Sequence, residues 1–118
     1  MSDKTEWHLL AGSEAEISFS EGGLAEVEAG GKKLCVARFK ETLYAFSASC
    51  PHAGGSLAGG YTDALGNIVC PLHRYKFAMQ SGRNTSGEGY YLKTYALEKR
   101  PEGIFIQIRR GGLSGLLK

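Results

Sequence analysis

Long hydrophobic runs are missing from this chain, and with them the usual marks of secretion or membrane insertion. The N-terminus, Met1-Ser2-Asp3-Lys4-Thr5-Glu6, is polar and leads into no apolar stretch of spanning length. A cytoplasmic protein with no membrane partner is therefore expected. Clustered positive charge is missing too. Fourteen Lys and Arg against 12 Asp and Glu leave a net charge of +2, spread along the chain, so no nucleic-acid footprint is present. The chain also lacks a nucleotide-binding glycine motif, a mononuclear-iron triad and a second domain that could enclose a substrate cavity. Independent catalysis is not expected from it. No repeat or low-complexity segment is found. Cysteine, histidine and proline each occur only three times, so the positions they occupy carry weight.

Glycine, by contrast, occurs 17 times, among many short β-branched or aromatic runs, which argues for turns and strands over long helices. At 118 residues the chain suits one domain, 1–118, with a modest core. Trp7-His8-Leu9-Leu10 reads as a first strand, followed by a polar stretch to Gly23 with at most a turn of helix. Leu24 to Ala29 and Lys32 to Phe39 read as strands joined at Gly30-Gly31, a pair suited to a two-residue turn with positive φ. Thr42 to Phe46 continues the pattern beyond Lys40-Glu41, and Ile68-Val69 is a short strand. Ser81 to Gly89 is a glycine-rich loop, and Tyr95 to Glu98 with Ile104 to Ile108 forms a closing hairpin over Pro101-Glu102-Gly103. The expected architecture is all-β: an antiparallel, sandwich- or barrel-like base drawn from both chain ends. An insert at about 48–80 would stand at one tip, and 110–118 is expected to be a flexible tail. Cys35, in Leu34-Cys35-Val36-Ala37, reads as a buried strand residue acting as a small hydrophobe.

The other two cysteines and two of the histidines fall in paired loops, Cys50-Pro51-His52 and Cys70-Pro71-Leu72-His73. Each loop offers one thiolate and one imidazole from a proline-containing turn. Cys50, His52, Cys70 and His73 are thus the candidate metal and cofactor ligands. Two Cys and two His can also hold zinc, but zinc fingers place both cysteines in one loop and both histidines in the other. A Cys50–Cys70 disulfide would leave both histidines unexplained. The mixed order suits a dinuclear iron–sulfur centre with two sulfurs on one iron and two nitrogens on the other.

The segments Cys50-Pro51-His52-Ala53-Gly54-Gly55 and Cys70-Pro71-Leu72-His73-Arg74-Tyr75-Lys76-Phe77 resemble the cluster loops of Rieske ferredoxins, from about Trp7 to Ile108. The likeness is to soluble ferredoxins of ring-hydroxylating oxygenases and to small subunits of NADH-dependent nitrite reductases. It implies an all-β Rieske iron–sulfur fold and one [2Fe–2S] cluster per chain. It also implies a role as a soluble one-electron carrier between a reductase and a terminal oxygenase. A non-catalytic subunit of a nitrite reductase is the alternative, and a zinc-stabilised interaction module is a further one. Cys50 and Cys70 would hold the ferric iron, and His52 and His73 the iron that accepts the electron.

High-potential relatives carry an extra disulfide and a serine near the cluster. Gly55, Leu72 and Tyr75 stand at those positions here, so the expected potential lies near or below about −50 mV, within the Rieske range. Arg74 stands where many relatives have glycine. Gly87-Glu88-Gly89 stands where a covering proline is usual, so a looser cover is expected. Arg74, Lys76 and Arg83 place positive charge near the second loop, and Tyr75 and Phe77 are expected to pack beneath it.

Overall fold

The computed structural model describes residues 4–50, 56–71, 74–87 and 89–110. Among them the chain forms strands β1 (Lys4–Ala11), β2 (Leu24–Ala29), β3 (Lys32–Phe39), β4 (Thr42–Ser47) and β5 (Tyr61–Thr62). Strands β6 (Asn67–Val69), β7 (Lys76–Ala78), β8 (Thr94–Tyr95), β9 (Leu97–Arg100) and β10 (Gly103–Arg110) follow. The described residues contain two single 3-10 turns, Glu14–Glu16 and Leu57–Gly59, and no α-helix. The all-β expectation holds.

Three antiparallel sheets result, ordered β1-β10-β9, β2-β3-β4-β8 and β5-β6-β7. Pairing of β1 with β10, in register from Lys4↔Arg110 to Leu9↔Phe105 and shifted by a bulge before Ala11↔Ile104, joins the two ends of the chain as expected. The expected tail begins at the last residue of β10, and 111–118 lie outside the described residues.

The β2-β3-β4-β8 sheet is the middle layer, because the run Leu34-Cys35-Val36-Ala37 is buried on both faces. Side chains alternate across a strand, so Leu34 and Val36 point one way and Cys35 and Ala37 the other. Leu34 and Val36 join Leu43, Ala45, Ile104, Ile106 and Ile108 in a core against the β1-β10-β9 sheet. Cys35 and Ala37 join Phe46, Ile68, Phe77 and Leu92 in a second core against the β5-β6-β7 sheet. Both phenylalanines there are fully buried, each contributing about 1.5–3 kcal/mol. The small third sheet therefore rests on the face of the middle sheet opposite the terminal strands.

Gly30 and Gly31 take φ of 57° and 78°, the two-residue turn read from the sequence. Lys40 and Glu41 make the next hairpin turn with the same handedness, φ 52° and 68°, without a glycine. The strand expected over Tyr95 to Glu98 is in fact two. Tyr95 pairs with Ala45 in the middle sheet, whereas Leu97 pairs with Ile106 in the terminal one. The chain changes sheets at Ala96, whose carbonyl accepts from Gln107 N at 3.0 Å. Apolar patterning cannot show this, because Tyr95 and Leu97 both pack against the same core.

Candidate metal centre

Cys50 leaves the end of β4 and enters the first ligand loop. Its base is closed by the Ser49↔Ser56 bridge and by Leu57 N donating to Ala48 O at 2.8 Å. Cys70 leaves β6 and opens the second loop, closed by Cys70 N donating to Tyr75 O at 2.8 Å. Arg74, just before that closure, has φ 57°, a conformation costing roughly 1–2 kcal/mol for a residue with a Cβ. That explains why glycine is the easier residue there.

Both cysteines are buried, with 1% and 0% exposure, in one apolar cluster with Phe46, Leu57, Ile68, Phe77 and Leu92. The structure thus brings together two thiols 20 positions apart in sequence. His52 and His73, with Gly55 and Leu72, lie outside the described residues. Two water-excluded thiols at the roots of two closed loops fit the sulfur half of the expected ligand set. Cys35, fully buried in the same cluster, is a different case. Burial and the nearby Glu26 push its thiol up to about 12, so it stays protonated at neutral pH. It packs as a small hydrophobe, as the sequence suggested. Phe77 and Tyr75 also pack there, Phe77 fully buried and Tyr75 partly.

The two loops are brought together by a close approach between backbones. A Cβ on Gly60 would lie 2.0 Å from Val69 O and 3.1 Å from Pro71 Cδ. A Cβ on Gly22 would lie 2.5 Å from Gly60 O, and Gly22 O accepts from Thr62 N at 3.0 Å. The stretch leaving the first loop is thereby sandwiched between the 20–23 turn and the strand that delivers Cys70. The Gly59-Gly60 pair is visible in the sequence, but which member is in contact is not.

Asp63 was also not singled out by the sequence reading. Its Oδ1 accepts from Leu65 N and Asn67 N, both at 2.9 Å, and its Oδ2 accepts from Asn67 Nδ2 at 3.1 Å. Lys76 Nζ stands 3.7 Å from Oδ2, which pairs one of the three cations placed near the second loop. Burial opposes ionisation of Asp63, but the Asn67 and Leu65 hydrogen bonds and the Lys76 charge outweigh it and lower the pKa. The spacing Asp63-x-x-x-Asn67 was the available signal. A folded pKa below the unfolded value of about 3.9 stabilises the protein at neutral pH, an effect lost as pH falls through the folded value. Asp63→Ala is expected to lower stability by about 1–3 kcal/mol near pH 7. In denaturant titrations from pH 7 to pH 3, its gap from wild type should then narrow below about pH 4.

The described residues thus form a small all-β domain with two buried thiols at the roots of paired loops. Residues 6–95 match the sequence profile described as the Rieske [2Fe-2S] domain, so the chain belongs to that family and carries its [2Fe–2S] cluster. The anthranilate 1,2-dioxygenase ferredoxin subunit of Burkholderia cepacia is 34% identical over 77 residues, covering 65% of this chain and 68% of that one. The ferredoxin of carbazole 1,9a-dioxygenase from Nocardioides aromaticivorans superposes with TM-score 0.70 at 24% identity, covering 83% and 93%. A candidate NADH-dependent nitrite reductase small subunit from Mycobacterium tuberculosis superposes with TM-score 0.72 at 20% identity, covering 93% and 99%. Membership of this family displaces the zinc and disulfide readings. Among the described residues no helix is long and apolar enough to cross a membrane.

Proposed function

We propose that this chain is a soluble, cytoplasmic, non-catalytic electron carrier that takes one electron from a reductase and passes it to a terminal oxygenase. The observation that carries this reading is the 34% identity to a dioxygenase ferredoxin subunit over 65% of this chain and 68% of that one. Cys50 and Cys70 are assigned as the thiolate ligands of one iron, and His52 and His73 as the imidazole ligands of the other. A bound Rieske cluster supplies a one-electron acceptor at a higher potential than a four-thiolate centre, because two neutral imidazoles replace two anionic thiolates.

The protein's own residues supply the rest. The apolar cluster around Cys50 and Cys70 keeps water from the sulfur side. Pro71 and Arg74, in the second loop, are both exposed to solvent. The whole chain, 1–118, is taken as one Rieske domain, with residues of about 48–80 as its cluster-binding part.

A second reading, as the small subunit of a nitrite reductase, is favoured by a fold match that covers 93% of this chain and 99% of the other. Mixing the purified red-brown protein with a ferredoxin reductase and NADH, and then with a terminal oxygenase and its aromatic substrate, separates the two. Reductase-dependent bleaching, followed by recolouring when the oxygenase turns over, is the expected result. Stable co-purification with a large flavin-containing chain, and no exchange with the oxygenase, would replace the carrier by the subunit.

A further inference from the structure

β7 is an edge strand, and the chain that follows it returns to cover its open side. Lys76 pairs with Val69 on the inner side. On its outer side Lys76 N donates to Ser86 Oγ at 2.9 Å, and Lys76 O accepts from Thr85 N at 2.8 Å and Asn84 Nδ2 at 3.0 Å. Asn84 Oδ1 accepts from Gly89 N at 2.7 Å, which ties the 81–87 and 89–92 segments together. Tyr90, one residue on, sets its ring 5.8 Å from that of Tyr75, tilted by 32°. Tyr75 is the residue whose carbonyl closes the second ligand loop on Cys70 N. Ring contact and hydrogen bonds thus grip two successive residues, Tyr75 and Lys76, from outside.

We propose that Asn84, Ser86 and Tyr90 form a clasp that fixes the second ligand loop, with Asn84 and Tyr90 as its positioning residues. The proposal rests on the assignment of Cys70 as a cluster ligand. Arg74, held at positive φ beside the Cys70 N–Tyr75 O hydrogen bond, puts local backbone strain on that closure. The clasp opposes opening by holding the carboxyl side of the closure. It acts on the cluster only through that loop, as outer-shell partners act on metal ligands elsewhere. Tyr90 suits this role without being a core residue, since it is 39% exposed.

The test uses cluster-loaded protein and four variants: Asn84→Ala, Tyr90→Ala, Tyr90→Phe and Tyr91→Ala. Iron release to an excess of chelator is followed at the visible absorption band, with visible circular dichroism as a report on cluster geometry. Asn84→Ala and Tyr90→Ala are expected to release iron about 10-fold faster than wild type and to alter the dichroism. Tyr91→Ala alters a neighbour that is 69% exposed and should match wild type, while Tyr90→Phe keeps the ring against Tyr75 and should release iron more slowly than Tyr90→Ala. Wild-type release rates and dichroism in Asn84→Ala and Tyr90→Ala would overturn the clasp, as would equal acceleration by Tyr91→Ala. If Asn84→Ala does not fold, the Tyr90 pair decides alone. Wild-type protein without iron and acid-labile sulfide overturns the cluster assignment itself, and the clasp with it.

Discussion

Cys70→Ser is expected to give a colourless protein whose iron and sulfide content falls below about a tenth of wild type. The same holds for Cys50→Ser. Each cysteine is buried in an apolar cluster, so the substitution also leaves a hydroxyl where little can satisfy it, at about 1–3 kcal/mol. Loss of the cluster removes the cross-link between the two loops, and metal binding of this kind is coupled to folding. The melting temperature should therefore drop by about 10 °C or more, since roughly 1 kcal/mol moves a domain of this size by about 4 °C. Cys35→Ser is the control that makes the result specific. It places the same hydroxyl in the same cluster and should cost a similar 1–3 kcal/mol or so, while keeping iron and colour. Iron and sulfide assays with thermal melts on the three variants check this. A coloured Cys70→Ser would refute the assignment, and a colourless Cys35→Ser would mean that burial of a hydroxyl alone suffices.

The sequence showed the ligand loops plainly, because four side chains of two rare types cannot be arranged this way by packing needs alone. The hairpin over Gly30-Gly31 was legible because positive φ at two successive positions demands such residues. The equivalent turn at Lys40-Glu41 carries no such mark, although its backbone is the same. Strands β5, β7 and β8 are two or three residues long, too short for period-two patterning to register. The layering was half legible. An unbroken apolar run at Leu34-Cys35-Val36-Ala37 signals burial on both faces, yet which sheets cover them depends on pairings far apart in sequence.

Around the site, Asp63, Asn67 and Asn84 looked like ordinary turn residues. Their roles come from partners 2 to 18 positions away, such as Thr85 Oγ1 donating to Asn67 Oδ1 at 3.3 Å. The looser cover was expected at the proline-free stretch Gly87-Glu88-Gly89, of which Glu88 lies outside the described residues. The segments on either side of Glu88 are tied by Gly89 N to Asn84 and by Leu92 N to Gly82 O at 2.8 Å.

Adjacent glycines should respond in opposite ways, which tests the close approach between the loops directly. Gly60→Ala would force a methyl to within 2.0 Å of Val69 O, a backbone atom of the strand that delivers Cys70. Neither neighbour can yield cheaply. Gly60 O lies against Gly22 on the other side, and Val69 is fixed in pairs with both Tyr61 and Lys76. The cost should reach the upper end of the about 1–3 kcal/mol typical of over-packing, or exceed it. A domain with about 5–15 kcal/mol of total stability feels that strongly, and the melting temperature should fall by about 10 °C. Because the displaced strand carries a ligand, cluster content should fall as well. Gly59→Ala, one residue earlier, meets only Pro71 Cγ at an ordinary 3.8 Å and sits in a 3-10 turn. It should be neutral, or more stable by up to about 1 kcal/mol through a less flexible unfolded chain. Melting curves and iron content of the two variants decide the point. Similar behaviour at 59 and 60 would mean that the Gly60–Val69 approach does not position the second ligand loop.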